Sequence, residues 1–386
     1  MTRDLRLVAL ALAVWGAGEG MFVYFQPLYI QQLGASPLEI GAILGAAGVA
    51  MAVAHIPAGA LSDHIGRKQL MVASWVIGTA AGWLMFQALA LPLFVAGLLL
   101  YWSTTFVMAP MSSYITAARG AWSVARALTT VNAGFSLGAV AGPLIGGQLA
   151  EAWGLRAVYG TSASLFILST ALVLFIRPQP TEAHDGPSRY RALLGRAGFL
   201  RFLVLAFAVA FAIYLSWPLT PNYLQEVRHV TIGQIGLFGS FNALGATLFG
   251  LVLGRLPPRR GYVIVQAIVA LAALLLWQGL GVPLLALGYF LAGGFRTSRS
   301  LVSAQVQGLV RPAEMGLAYG IAETVQSGAL IGAPALAGVL YTRDPGLMFP
   351  VSLGLLALTM VLAARFAPRA SAGVPVAPEL AAARRE

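Results

Sequence analysis

Five ionisable side chains stand inside apolar stretches long enough to cross a bilayer, and they define the chemistry open to this chain. Glu19 lies midway along the first stretch in GAGEGMF, where Gly16, Gly18 and Gly20 leave room around its carboxylate for backbone, water or ligand. A charge in such a place is costly unless it faces protein or water, and a carboxyl there can take up and release a proton. Arg296 and Arg299 sit near the middle of a later stretch, and Ser300, Ser303 and Gln307 continue their polar stripe at helical spacing. A fixed cation there calls for an anion. Glu19 across a cavity, Glu323 in the next apolar stretch, or an acidic substrate group gripped by the guanidinium fork would each serve. Arg299 and Glu323 stand at matching depths, so an ion pair between them is one reading, with Arg296, one turn deeper, left as the substrate or coupling residue. His55, in the second apolar stretch, matches Glu323 in depth. The two read either as a contact whose protonation biases opening and closing, or as a packed histidine and an unrelated acid.

Other chemistries fail on context. With no cysteine in 386 residues, thiol catalysis, disulfides and thiolate metal sites are excluded. Gly134, Ser136 and Gly138 spell a G-x-S-x-G string, but it falls within an unbroken helical pattern rather than at a strand-to-helix turn. No H-E-x-x-H or phosphate-loop string appears, so no enzyme activity, metal or cofactor is expected. The net charge of +11 is dispersed singly between apolar spans, unlike a nucleic-acid surface. A chain that is 59% hydrophobic and 10% charged belongs in a membrane.

The elements that must position these residues follow from spans of about 20 apolar residues. Twelve run approximately from 6 to 31, 38 to 61, 70 to 88, 92 to 118, 126 to 151 and 157 to 177, then 199 to 224, 231 to 254, 262 to 281, 283 to 309, 315 to 341 and 346 to 366. Arginine and lysine collect on one side, including Arg3, Arg6, Arg67, Lys68, Arg119, Arg126, Arg177, Arg255 and Arg311, against Arg156, Arg228 and Arg343 on the other. That bias predicts cytoplasmic N- and C-termini, with the chain in the plasma (inner) membrane of a prokaryote. Residues 1 to 18 do not read as a cleaved signal, because the apolar run continues to Ile30.

The two halves repeat. Pro92 matches Pro283, and Asn132, Pro143 and Gly147 match Glu323, Pro334 and Gly338, all 191 residues apart. The expected fold class is an all-α membrane protein of twelve transmembrane helices in two pseudo-symmetric six-helix bundles, residues 1–177 and 199–366. Residues 178–198 form a cytoplasmic linker, with Tyr190, Leu193, Leu194 and Phe199 able to lie on the lipid surface in a short helix. Residues 367–386 form a cytoplasmic tail.

Gly59 to Lys68 read GALSDHIGRK, which resembles the loop between helices 2 and 3 of the major facilitator superfamily, matching at Gly59, Leu61, Ser62, Asp63, Gly66, Arg67 and Lys68. In helix 5, Gly134, Gly138, Gly142, Pro143, Gly146 and Gly147 resemble the motif of that superfamily's proton-coupled antiporter branch, drug exporters among them. Small residues every four positions also suit close packing between the halves.

The resemblance implies a transporter working by alternating access, in which helices 1, 4, 7 and 10 line the cavity and helices 2 and 11 meet across the two halves. It makes Glu19 a coupling or substrate-binding acid. Asp63, with Arg67 and Lys68, becomes a cluster at the start of helix 11 that locks the outward-open state; His64 replaces the arginine often found after the aspartate. Helix 4 lacks the arginine that antiporter relatives often carry, which leaves the cation to helix 10. Implied cavity residues are Trp15, Phe22, Tyr24 and Gln26, then Tyr101, Thr105, Met108 and Ser112, with Asn132, Tyr214, Trp217 and Asn222. Tyr223 reads as an interfacial anchor.

A large, mostly apolar pocket suits amphipathic substrates. The expected function is proton-coupled efflux of hydrophobic or amphipathic small molecules by a monomer in the lipid bilayer. Organic-anion uptake or symport through Arg296, and flipping of lipids or their precursors, are the alternatives.

Overall fold

The computed structural model describes residues 1–179, 195–310 and 315–368, with backbone alone at 55–64, 109, 125 and 315–317. Most of the linker, the tail, and the side chains of His55, Asp63 and His64 therefore lie outside the described residues. Among the described residues every regular element is a helix, as expected where no water is present to satisfy backbone groups.

Eight crossings are single helices. These are α3 (Pro37–Ile65), α4 (Arg67–Gln87), α7 (Val124–Trp153), α8 (Leu155–Leu174), α11 (Ile232–Leu253), α12 (Pro258–Gln278), α15 (Met315–Arg343) and α16 (Met348–Phe366). The other four are interrupted. The first is α1 (Arg3–Val23) followed by α2 (Gln26–Gln32), and the fourth is α5 (Leu91–Ser103), a 3-10 turn (Thr104–Val107) and α6 (Met108–Ala118). The seventh is α9 (Ala197–Leu215) and α10 (Thr220–Glu226), separated at Pro218, and the tenth is α13 (Val282–Ala292) and α14 (Gly294–Gln307), separated at Gly293. The broken crossings are the first, fourth, seventh and tenth, so the interruptions repeat with the same period in both halves. Discontinuous helices gather where a membrane protein binds its cargo.

Among the described residues eleven helical stretches are long and apolar enough to cross a bilayer by themselves. The tenth crossing is the exception, because α13 has only 11 residues and α14 is polar. The sequence repeat has a structural counterpart. Proline stands in the first turn of both α5 and α13, and Pro143 and Pro334 lie inside the long helices α7 and α15. Helix starts are fixed locally: Thr2 accepts from the Leu5 amide, Ser123 from the Arg126 amide, and Thr231 with Gln234 makes a reciprocal capping box.

The helix 5 glycines pack chiefly inside their own half. A Cβ at Gly134, Gly138, Gly142 or Gly146 would lie 2.1 to 2.6 Å from the carbonyl oxygens of Ala9, Ala13, Ala17 or Met21 of α1. Within this motif Pro143 and Gly147 reach the other half, where they meet Gly233, Gly236 and Gly239 of α11. On the pseudo-symmetric side, Gly41, Gly45 and Gly48 of α3 lie against Ile331, Pro334 and Gly338 of α15. Both seams lie at the far side of the molecule, opposite the start of α1, and they shut it there.

Candidate functional site

Interruption of the first crossing alters which of its residues share a face. The helix turns at Tyr24 and Phe25, so Glu19 and Phe22 stay in register while Gln26 does not. Gln26 is buried rather than open to a cavity, and Phe22 is fully buried in the first half's core. The break accounts for Gln26, whereas Phe22 keeps its register and is buried by the rings of Tyr101, Tyr159 and Phe166 packed on it.

Glu19 remains partly exposed and accepts a hydrogen bond from the Tyr101 hydroxyl at 2.7 Å. Aromatic rings enclose that pair. Trp15 stacks on Phe166 with centroids 4.1 Å apart, and Phe22 meets the Tyr101 ring edge-on at 5.3 Å. The small-residue seam between α1 and α7 turns this face of α1 toward α5 and α8. One carboxylate is thus held in an otherwise apolar wall, where its charge has few competitors.

The cationic wall comes from the other half. Gly245 and Gly293 let the tenth crossing lie directly on α11, since a Cβ at Gly293 would stand 2.4 Å from the Ala246 amide nitrogen. Three residues later Arg296 projects into a cavity of about 110 Å³ lined also by Ser136 and Ala139 of α7 and by Ala243, Ala246 and Thr247 of α11. Among the described residues Arg296 has no hydrogen-bond or ion-pair partner, yet its charge acts on both Glu19 and Tyr24. Tyr24 links the halves, donating to Asn242 Oδ1 at 3.0 Å, while Asn242 Nδ2 donates to the Tyr289 carbonyl at 2.9 Å. Arg299 instead forms an ion pair with Glu323, open enough to be wetted on both sides. The depth match read from sequence corresponds to this pair. His55 lies outside the described residues as a side chain, and Glu323 is already engaged by Arg299.

The remaining implied cavity residues divide by exposure. Met108, Ser112 and Asn132 are exposed, and Thr105 is half-buried with its hydroxyl donated to the Trp102 carbonyl. Tyr214 packs against Phe295, and Trp217 lies between Tyr24 and Tyr289. Tyr223 is buried and donates to the Trp277 carbonyl at 3.1 Å, so it is a packed residue and not an interfacial anchor. In the loop string that begins at Gly59, Gly66 has φ +98°, a left-handed conformation that favours glycine, and starts α4 at Arg67 and Lys68.

A polar cluster at the far side escaped the sequence reading, apart from Asn222, which is buried there rather than facing a cavity. The Glu226 carboxylate accepts from the Gln31 amide of the first half and from the Tyr341 hydroxyl at 2.5 Å, and Asn222 donates to Gln31 at 2.6 Å. Nearby, Glu151 accepts from the Gly233 amide at 2.9 Å at the first turn of α11. Polar residues at span ends look like ordinary loop residues in a sequence. Only the fold brings these five segments together.

The family comparison agrees with this architecture. The model of the Major Facilitator Superfamily matches residues 8–206 and 202–385. An uncharacterized MFS-type transporter of Methanocaldococcus jannaschii is 31% identical over 156 residues, which cover 40% of this chain and 40% of that protein's own length. The multidrug resistance protein MdtG of Proteus mirabilis is 30% identical over 272 residues, 67% of this chain and 66% of its own. Among solved structures, that of the nucleoside transporter NupG superposes with a TM-score of 0.75 at 15% identity, covering 95% of this chain and 98% of the other. Twelve crossings, four of them broken in a repeated order, two seams between halves and a matching family model lead to one statement: this chain belongs to the Major Facilitator Superfamily, as a multi-pass membrane transporter and not an enzyme.

Proposed function

We propose that this chain is a proton-coupled exporter of hydrophobic or amphipathic small molecules, residing in a bacterial inner membrane and working by alternating access. The observation that carries this reading is Glu19: a single acid in an aromatic wall, held by Tyr101 and facing the unpaired charge of Arg296 from the other half. A proton and a neutral or cationic compound compete for the environment of such a carboxylate. Binding of one then favours release of the other, which is exchange. The relatives named as multidrug resistance proteins support the same direction.

With both termini in the cytoplasm, as the arginine bias argues, the conformation described is sealed outside and offers the Glu19 wall to the inside. A compound from the cytoplasm or inner leaflet would enter between the halves, and separation of the two far-side seams would then release it outside. The experiment is substrate-triggered proton movement in proteoliposomes, with a panel of neutral and cationic lipophiles. Wild type should move protons when a compound is added, and Glu19→Gln should reduce the signal to that of empty vesicles. Undiminished proton movement in Glu19→Gln would remove the carrier role.

A further inference from the structure

On the side where α1 begins, the rims of the two halves differ in charge. The spacing that matches Gly41 to Gly233 and Arg67 to Arg259 sets Asp63 against Arg255, so a cation replaces the acid in the second half's turn. The first half also carries Asp4 on this rim, where its carboxylate accepts from the Arg177 amide at 3.4 Å. Among the described residues the second half's rim holds Arg196, Arg201, Arg255, Arg259, Arg260 and Arg365 and no acid. Glu226 and Asp344 of that half stand at the far side, and Glu323 is bound to Arg299. Topology accounts for cations on this side, but not for counter-charges in one half and none in the other.

Helix packing brings some of these arginines together. Arg259, in the first turn of α12, donates to the Ala364 carbonyl in the last turn of α16. Arg260 and Arg365 are each the next residue along, so this bond sets them at one level where the two helices meet, and both are exposed. Each also ends an apolar stripe. Arg260 is followed along α12 by the exposed residues Ile264, Ala267 and Leu271, and Arg365 is preceded along α16 by Leu358 and Val361. Spacings of three and four keep each set on one helix face. Two cations at the ends of neighbouring apolar faces match a ligand with an anionic head and alkyl chains, and a guanidinium grips phosphate oxygens with two parallel N–H donors.

We propose that Arg260 and Arg365 form a seat for the phosphate of an anionic phospholipid of the inner leaflet, its chains lying along α12 and α16. Arg255 adds charge from the adjoining turn, and the bond from Arg259 to Ala364 holds the two helix ends in place. The leaflet follows from the arginine bias that puts this rim in the cytoplasm. A lipid held there ties α12 to α16 and stabilises the second half by mass action, without entering the cavity between the halves.

The test is thermal unfolding of the purified full-length transporter in neutral detergent, titrated with phosphatidylglycerol, with phosphatidylcholine of the same chains, or with glycerol 1-phosphate. Phosphatidylglycerol should raise the melting temperature of wild type at concentrations where the other two do nothing. Arg260→Gln and Arg365→Gln should each need roughly tenfold more phosphatidylglycerol for the same shift, the scale of one hydrogen bond between charged groups. Arg6→Gln removes the same charge from the same side at the start of α1 and should match wild type. The melting temperature without lipid shows whether each variant is folded. Arg365→Lys keeps the charge but not the fork, so it should fall between wild type and Arg365→Gln, and it serves if the latter does not fold.

Equal stabilisation by phosphatidylcholine would mean that the chains alone bind, and it overturns the proposal. So does equal weakening by Arg6→Gln, the mark of a diffuse attraction to any anionic surface. A matching shift with glycerol 1-phosphate also overturns it, as a site for soluble phosphates. Proton movement driven by lipophilic compounds is measured separately, so loss of the lipid seat would leave the exporter reading standing.

Discussion

Arg299 and Glu323 face each other within a partly wetted cleft, while Arg296, one turn away, faces open space. Arg299→Gln or Glu323→Gln alone should lower thermal stability in detergent by about 1 kcal/mol, since exposure screens much of the pair's attraction. The double variant should recover most of that loss and retain transport, as expected for a structural pair. A double variant as stable as wild type yet unable to transport would instead make the pair part of the mechanism. Depth counting along two apolar spans is enough to anticipate this contact, because helices fix the rise per residue. The break at Tyr24 is not legible in the sequence, and an unbroken helix would give Gln26 a face it does not have. Ser136 is visible there only as part of a false hydrolase string; its place beside Arg296 depends on the tilt of α7 across the two halves, which no local pattern encodes.

Helix contacts turn on small residues at particular positions. Gly138→Ala would drive its methyl into the Ala13 carbonyl, and separation of α1 from α7 should cost about 1–3 kcal/mol, read as a lower melting temperature and poorer yield. Gly250→Ala, at a helical glycine of α11 with nothing within 4 Å of the added carbon, should be neutral or stabilise by up to about 1 kcal/mol. Similar losses at both sites would mean that helix propensity and not close approach governs the seam. The glycine period in helix 5 is legible in the sequence, but its partner is not: four of the glycines serve α1 in the same half, while Pro143 and Gly147 meet α11 of the other. Periodicity reveals a flat face without revealing what lies on it. The helix 2–3 loop string is equally plain, although Asp63 falls among residues whose side chains are not described.

Across the molecule, the far-side seal combines two small-residue seams with carboxylate bonds at Glu226 and Glu151. Glu226→Gln and Tyr341→Phe should each shift the population toward the conformation open on that side. A single cysteine introduced at Ile40, buried next to the Gly41–Pro334 contact in a chain that has none, should then react with an impermeant reagent several-fold faster, one lost bond being worth about 1 kcal/mol. Unchanged reactivity in both variants would show that the seams alone hold the seal. The twelve-span plan and its two-fold repeat are legible because lipid imposes length and hydrophobicity on every crossing. The tenth crossing departs from that rule, and its departure reaches back to the ribosome. Two arginines at roughly 2.5–3.5 kcal/mol each oppose partition of α14 from the insertion machinery into lipid. This segment cannot settle singly as it emerges, and must wait beside its neighbours until α11, α12 and α15 can shelter it. Insertion of this half should therefore be a collective event, and replacing Arg296 with leucine should raise the amount of protein recovered in the membrane fraction.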